Sequence, residues 1–389
     1  MKRFISIFIL VMITIFITGC MGTKEELDKL GVAVAIGYDI TSEGKYMLTA
    51  QILNPQKDPS GGMMGKKAGS QQKATDVVVF NAIGDSISDC KGQLSTKLGK
   101  ELNYGHIDFV VVGKSLAESG IAMVLDAVSR GYKMRPDIPL LVTKGNAFDI
   151  IRATSVQEKV PANEISNLLR LQSGFGFTNI VSILDFANSL SSKTKSPVIG
   201  VVNLSKNTDA DETFEVAGTA VFKKDKLIGF MDMKETRGMQ WIDGKVKFGY
   251  ITTLSRDEGK TTFEIISSSS KIKPSIKTDS YTMLINVKEE SNIGEMTGKL
   301  DPMKDPEIMN KLEISQENVI TNEIKLAVNV AQKKYYADIF GFGEMIHRDY
   351  PKEWTNIEGQ WKDIFPNLNI EIKVISSLKR PGFISKPIE

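Results

Sequence analysis

Ser205-Lys206-Asn207-Thr208-Asp209-Ala210-Asp211-Glu212 is a polar run between two stretches of sequence that are patterned differently. Before it, helix and strand signals alternate. After it, long strand signals come first and helices follow. Alternation upstream argues for a sheet flanked by helices, and the downstream order argues for a largely antiparallel sheet with a helix packed over it. The fold class that follows is α+β, in two or three domains, each a largely antiparallel or mixed β-sheet flanked by α-helices. The polar run is the natural boundary between residues 28–204 and residues 213–380, with a further division near 145–160 left open.

Upstream of the run, Val32–Tyr38, Tyr46–Leu53 and Asp76–Phe80 read as strands, and Tyr46–Leu53 alternates with period 2. Residues 54–73 carry Pro55, Pro59, Gly61, Gly62, Gly65 and Gly69, a loop composition. Ile83, Ile87, Cys90, Leu94 and Leu98 fall at steps of 4, 3, 4 and 4, which predicts one face of a helix over Ile83–Leu98. Strands near Ile107–Val112, Ile138–Thr143 and Val198–Leu204 alternate with helices at Ser115–Arg130, Asn146–Ala153, Ala162–Gln172 and Asn179–Leu190.

Downstream, Phe214–Phe222 and Leu227–Asp232 flank Lys223-Lys224-Asp225-Lys226 as a hairpin, and Val246–Leu254, Thr261–Lys271 and Tyr281–Lys288 continue as strands. Asp305-Pro306-Glu307 combines a capping carboxylate, a first-turn proline and an acid at the positive dipole end. A long helix is expected over about 315–338, its buried stripe formed by Ile320, Ile324, Ala327, Val328, Ala331 and Tyr335. Asn369–Ser376 closes the pattern as a last strand.

The amino terminus addresses location. Met1-Lys2-Arg3 precedes an apolar run from Phe4 to Ile17, and Thr18-Gly19-Cys20 follows. This is a secretory signal, too short for a membrane span of about 20 residues. Ile17-Thr18-Gly19-Cys20 reads as a lipobox, which makes residues 1–19 a lipoprotein signal peptide. Cys20 becomes the lipid attachment residue, an S-diacylglycerol cysteine whose freed amino group can take a further acyl chain such as palmitate. Residues 20–27 form the lipidated spacer. Removing Lys2 and Arg3 leaves 47 basic against 47 acidic residues, a balance that carries no electrostatic argument for nucleic acid. Cys90 is the other cysteine and sits on an apolar helical face, so a buried thiol is expected and no intrachain disulfide.

Catalytic patterns do not emerge. His106 and His347 stand far apart without a second histidine at metal-ligand spacing, and there is no Gly-x-Ser-x-Gly elbow. Gly65-Lys66 lacks the earlier glycine of a phosphate-binding loop. Asp209, Asp211 and Glu212 lack the glycine and distal glutamate of a calcium loop. No catalytic residue, metal site or cofactor site is therefore expected, and the chain reads as no enzyme. Three local patterns remain: Tyr104-Gly105-His106; Thr236-Arg237-Gly238 with Trp241; and Asp338-Ile339-Phe340-Gly341-Phe342-Gly343 with Arg348, Pro351, Trp354 and Trp361. Each has a structural reading: a turn, a helix start packed by Trp241, and a helix stop at glycine.

Taken in order, these patterns resemble the Ger(x)C family, the lipoprotein C subunits of spore germinant receptors. The resemblance rests on the lipobox at Cys20; on Ala33-Val34-Ala35-Ile36-Gly37-Tyr38-Asp39, Gln51-Ile52-Leu53-Asn54-Pro55 and Tyr104-Gly105-His106; on Gly218 through Lys223, Lys226-Leu227-Ile228-Gly229 and Thr236-Arg237-Gly238; and on Gln332-Lys333 through Gly343, Pro351 through Trp354, Trp361 and Phe365-Pro366. Members often carry Trp-Asp after the lipidated cysteine, where this chain has Met21-Gly22. The resemblance implies a non-enzymatic subunit that acts as scaffold or coupling component in spore germination. Its implied partners are the membrane-embedded A and B receptor subunits and the bilayer that holds the acylated Cys20. Its implied place is the outer face of the inner spore membrane or cell membrane. A different class stays open on the residues alone: a lipid-anchored solute-binding protein of a transporter.

Overall fold

Short, wholly apolar strands and long alternating ones segregate into two different sheets. The computed structural model describes residues 30–54, 75–131, 134–208, 212–255, 259–277, 280–297, 301–302 and 305–380. The lipobox with Cys20, most of the Pro/Gly-rich 54–73 stretch, and Asp209 and Asp211 lie outside the described residues.

The first sheet contains β1 (Leu30–Ile40), β2 (Tyr46–Leu53), β3 (Val77–Gly84), β4 (Glu101–Asn103), β5 (Phe109–Val112), β6 (Leu140–Val142), β7 (Val198–Lys206), β8 (Glu212–Lys223) and β9 (Lys226–Met231). Its order is β3-β2-β1-β5-β6-β7-β8-β9, with β4 beside the start of β1. The middle of the sheet is parallel and both flanks are antiparallel. Parallel strands need helical crossovers, which cover both faces and demand apolar side chains on each. Phe109-Val110-Val111-Val112 and Leu140-Leu141-Val142 meet that demand with every residue buried. One face packs against α1 (Ile87–Leu98), α2 (Lys114–Ser119), α3 (Ala122–Ser129) and α6 (Ile183–Ser191). The opposite face packs against α4 (Ala147–Arg152) and α5 (Pro161–Phe175).

Several expectations shift in detail. Ile83 belongs to β3, is half exposed, and is not on the helix, which begins at Ile87 after the Ser86 cap. The Ser115–Arg130 helix divides at Gly120, whose φ of 125° no helix accommodates. The polar run at 205–212 separates β7 from β8, which pair antiparallel from Lys206–Glu212 inward, so the first sheet continues across it. The hairpin expected to open the second half therefore completes the first sheet. Residues 145–160 hold α4, whose Ile150 and Ile151 sit beneath β1 in the shared core.

After α7 (Met233–Ile242) comes the second sheet, β10-β11-β12-β13, made of β10 (Gly249–Ser255), β11 (Gly259–Lys277), β12 (Ser280–Met296) and β13 (Asn369–Arg380). β13 joins β12 in parallel, so this sheet is mixed. One helix, α8 (Pro306–Asn329), replaces the two expected; Asp305 caps it by accepting Glu307 N–H at 2.8 Å, and a π-helical turn over Val330–Tyr335 extends it. All six members of the expected stripe are buried. Three short helices, α9 (Phe342–Asp349), α10 (Pro351–Ile357) and α11 (Trp361–Ile364), then lead to β13. Helices α7 and α8 and this helical segment cover one face of the second sheet.

Candidate functional site: the junction between the two sheets

The residues singled out in the second half meet where α7, α8 and the π turn join the two sheets. α7 starts on a capping box in which Asp232 and Glu235 exchange side-chain and backbone bonds. That start fixes the phase of the helix. Thr236 faces the first sheet and donates to the Thr219 hydroxyl at 3.1 Å, while Gly238 faces α8. A Cβ on Gly238 would collide with the Glu323 carbonyl and meet Ala327 Cβ at 3.0 Å, so glycine sets how closely the two helices approach.

Arg237 projects between them onto Glu323. Its Nε donates to Glu323 Oε2 at 2.9 Å, its Nη2 donates to Oε1, and Trp241 Nε1 donates to the same Oε2 at 2.9 Å. The remaining guanidinium edge donates to the Tyr250 carbonyl at 3.0 Å, and the Phe177 ring lies 5.3 Å away. Arg237 and Glu323 are 11% and 7% exposed, so this is a largely desolvated bidentate pair.

Asp338 holds the second knot. The chain leaves the π turn at Tyr336, in the left-handed region at φ 50°, so the helix stops there and not at a glycine. Gly341, at φ 75°, instead precedes α9. Between them, Asp338 Oδ1 accepts the Gly341 and Phe342 N–H groups at 2.9 and 3.1 Å, and Oδ2 accepts Gly343 N–H and Trp361 Nε1 at 2.9 and 3.2 Å. Burial pushes its pKa up to about 6 against the pull of those backbone donors. The Asp338 carbonyl takes Ser196 N–H at 2.8 Å, which stitches this turn to the strand entry of β7. Tyr335 adds another tie, its hydroxyl donating to the Phe230 carbonyl of β9 at 2.7 Å. Gln332 spans Phe365 and Leu368 by donating to both carbonyls at 2.9 Å.

A polar crevice of about 410 Å³ opens beside this junction, lined among others by Asn179, Asp185, Lys195, Asp243, Lys245 and Glu344. Lys245 is taken up by Asp243 at 3.5 Å and Asn179 at 3.4 Å.

The first-half patterns lie elsewhere and position the first sheet. Asp39 is buried and accepts Ala147 and Phe148 N–H, both at 2.8 Å, which caps α4. Gln51 donates to the Ile151 carbonyl at 2.9 Å and accepts Ala162 N–H at 3.1 Å, holding α4 and α5 together. Gly105 N–H is taken by the Asn103 side chain at 2.8 Å in the expected turn, and His106 is exposed. His347 is also exposed, stacked on Trp354 at 5.7 Å. Cys90 is fully buried, its thiol pointing at the Tyr46 carbonyl at 3.2 Å with its pKa raised by burial. Among the described residues no group of three or more His, Cys, Asp or Glu side chains is placed to hold a metal ion. Glu323 and Asp338 have their oxygens filled by N–H donors and are not poised for proton transfer.

Sequence reasoning missed Glu323, although its signal was present: an acid at i+3 from Ile320, on the apolar face of α8, needs a buried cation. The paired carboxylates Glu289-Glu290 read as solvated near a strand end, but Glu289 is buried: it faces α8 from β12 and receives the Gln316 side-chain N–H at 2.5 Å.

Two family models match the chain. The spore germination protein N-terminal domain covers residues 23–204, and the spore germination B3/GerAC-like C-terminal domain covers residues 217–382. The chain belongs to the Ger(x)C family. The family boundary falls in the β7–β8 turn, so the first sheet takes its last two strands from the C-terminal family domain. Ger(x)C relatives in Bacillus subtilis (strain 168) include spore germination protein KC, 27% identical over 96% of this chain and 95% of that one. Spore germination protein B3 is 23% identical over 95% of each chain, and spore germination protein A3 is 22% identical over 93% of each. A solved structure, the crystal structure of the GerBC protein, superposes with a TM-score of 0.57 over 88% of this chain and 96% of that one, at 22% identity, and shares the Ger(x)C fold. No helix among the described residues is long and apolar enough to cross a membrane.

Proposed function

We propose that this Ger(x)C chain is the lipid-anchored, non-enzymatic subunit of a nutrient germinant receptor, where it acts as a scaffold or coupling component in spore germination. Cys20 carries the diacylglycerol and holds the chain on the outer face of the inner spore membrane or cell membrane. Two or three acyl chains make such an anchor stable. The membrane-embedded A and B subunits are its partners.

The observation that carries this reading is the filled junction. Of the distinctive polar residues of the second half, Arg237 and Glu323 are engaged in joining α7 to α8, and the Asp338 carboxylate in fixing the turn between the π turn and α9. A chain whose charged residues are spent on rigidity transmits position, which a coupling subunit requires. A solute-binding protein would instead bring unpaired polar groups together in a cleft between two parallel α/β lobes.

The test is affinity purification of the full-length chain from detergent-solubilised spore membranes. Recovery with a large membrane subunit and a transporter-like multispanning subunit supports the proposal, and recovery with a permease and an ATPase overturns it. A Cys20→Ala variant should remain unprocessed and carry no acyl chain by mass spectrometry. Retention of that variant at the mature size would remove Cys20 as the anchor.

A further inference from the structure

The second sheet buries one face, and the other is exposed and basic. Pairing register puts Lys271, Lys273 and Lys277 of β11, Lys288 of β12 and Lys373 of β13 on the face turned away from α8. The alternation in burial fixes this. Met283, Ile285 and Val287 are buried on β12 while Asn286 and Lys288 are exposed, and Val374 is buried on β13 while Lys373 and Ile375 are exposed. On β11 a bulge between Ile265 and Ser267 switches the phase, after which Lys271, Lys273 and Lys277 all point outward.

Across the sheet Lys271 sits in register with Asn286 and Lys373, and Ser269 with Lys288 and Ile375. Strand spacing of ~4.8 Å and same-face spacing of ~7 Å keep neighbouring ammonium groups within about one Debye length at 0.1 M salt, so they act together. None of these five side chains has an ion-pair or hydrogen-bond partner among the described residues. Two acids share this end of the face. Glu371 stands opposite Leu284, and Glu290 is engaged by Lys379 at 2.8 Å and by Ser267 at 3.2 Å. Glu264 lies further off, toward β10. Between the lysines lie Ser269, Ser275, Thr282 and Asn286, with Leu284 and Ile375 as the apolar members of the face.

We propose that this lysine face docks on a bilayer rich in anionic phospholipid headgroups. The chain is close to neutral overall, so five lysines without an ion-pair partner among the described residues are a local concentration of positive charge on one face. Lysines act as point charges that suit a diffuse array of phosphates, whereas a carboxylate-bearing protein partner favours the bidentate fork of arginine. No described arginine side chain lies among them. Each lysine near an anionic surface contributes about fivefold in partitioning. The proposal goes beyond the receptor reading and does not need Cys20 to be acylated, since the protein surface itself binds.

The experiment is flotation of the unacylated mature chain, residues 21–389, with vesicles of phosphatidylcholine alone or mixed with phosphatidylglycerol. Binding should appear only with phosphatidylglycerol, grow with its fraction, and fall steeply as salt rises from 0.05 to 0.5 M. The variant Lys271→Glu/Lys273→Glu/Lys373→Glu should lose at least tenfold in partitioning. The control Lys223→Glu/Lys224→Glu/Lys226→Glu, with the same charge change on the β8–β9 turn of the first sheet, should lose less than threefold. Both variants should keep the wild-type circular dichroism spectrum. Absence of binding to phosphatidylglycerol vesicles overturns the proposal, as does equal loss in the two variants. Equal binding to neutral vesicles also overturns it. Because no acyl chain is present, none of these results bears on Cys20.

Discussion

The two sheets solve the same problem in opposite ways. In the first, parallel β5, β6 and β7 are covered on both faces, and residues facing either way, such as Val110 and Val111, are fully buried. In the second, β11 and β12 are long, alternate cleanly, and bury only the face turned to α7 and α8. The first sheet is thus a closed interior. The second is half core and half exposed surface, and its core depends on helices that also hold it to its neighbour. The crossovers of the first sheet's parallel strands run over both of its faces, whereas the connection from β12 to the parallel β13 runs over one face only and leaves the other to water.

The sharpest way to break this arrangement is at Glu323. Glu323→Ala would leave Arg237 buried without its carboxylate and Trp241 Nε1 without its acceptor. Removing one partner of a buried pair costs about 3–5 kcal/mol. A chemical denaturation curve should show the unfolding free energy falling by that amount, or a second transition as the two sheets cease to unfold together. An unchanged single transition would mean that packing alone joins them.

A pair of substitutions compares the faces directly. Leu141→Ala in β6 removes a fully buried side chain from a two-sided core and should cost about 2–5 kcal/mol. Ile375→Ala in β13, 43% exposed on the lysine face, should change stability by less than about 0.5 kcal/mol. Comparable losses from both would mean that the outer face of the second sheet is covered in the folded molecule.

The sequence made the elements legible because their signals are local. β2 has the expected extent from Tyr46 to Leu53, though both of its faces are buried from Leu48 to Ile52, and the six residues of the α8 stripe from Ile320 to Tyr335 are buried. What it hid is non-local. The 205–212 run does fall between the two family domains, but polarity alone does not say whether a sheet ends there, and pairing shows that the first sheet continues across it into β8 and β9. The parallel partner of β13 was invisible for the same reason, since register with β12 is set by helices α8 to α11 packing between them. The junction was half legible: the Thr236-Arg237-Gly238 and Asp338–Gly343 patterns stood out, but their acceptor Glu323 lay in a helix read only for its apolar residues.

A pH-dependent effect compares the two cores. Glu289, buried on β12 against α8, has its pKa raised from 4.5 to about 7, chiefly by burial and only partly offset by the side-chain N–H of Gln316. In the native state the proton is held where the unfolded chain would release it. The stability this group contributes is therefore fully present below about pH 4.5 and is lost as pH rises through about 7. Glu289→Gln keeps the neutral shape and removes the titration. Wild type and variant should be close in stability near pH 4.5, and the variant should be more stable by about 1–3 kcal/mol at pH 8. Denaturation midpoints across this range decide it, and parallel profiles for the two proteins would mean that Glu289 stays ionised. A divergence would show that the second sheet, unlike the first at Leu141, keeps a titrating group in its core close to neutral pH, so the half of the molecule with one exposed face is also the half whose packing responds to protons.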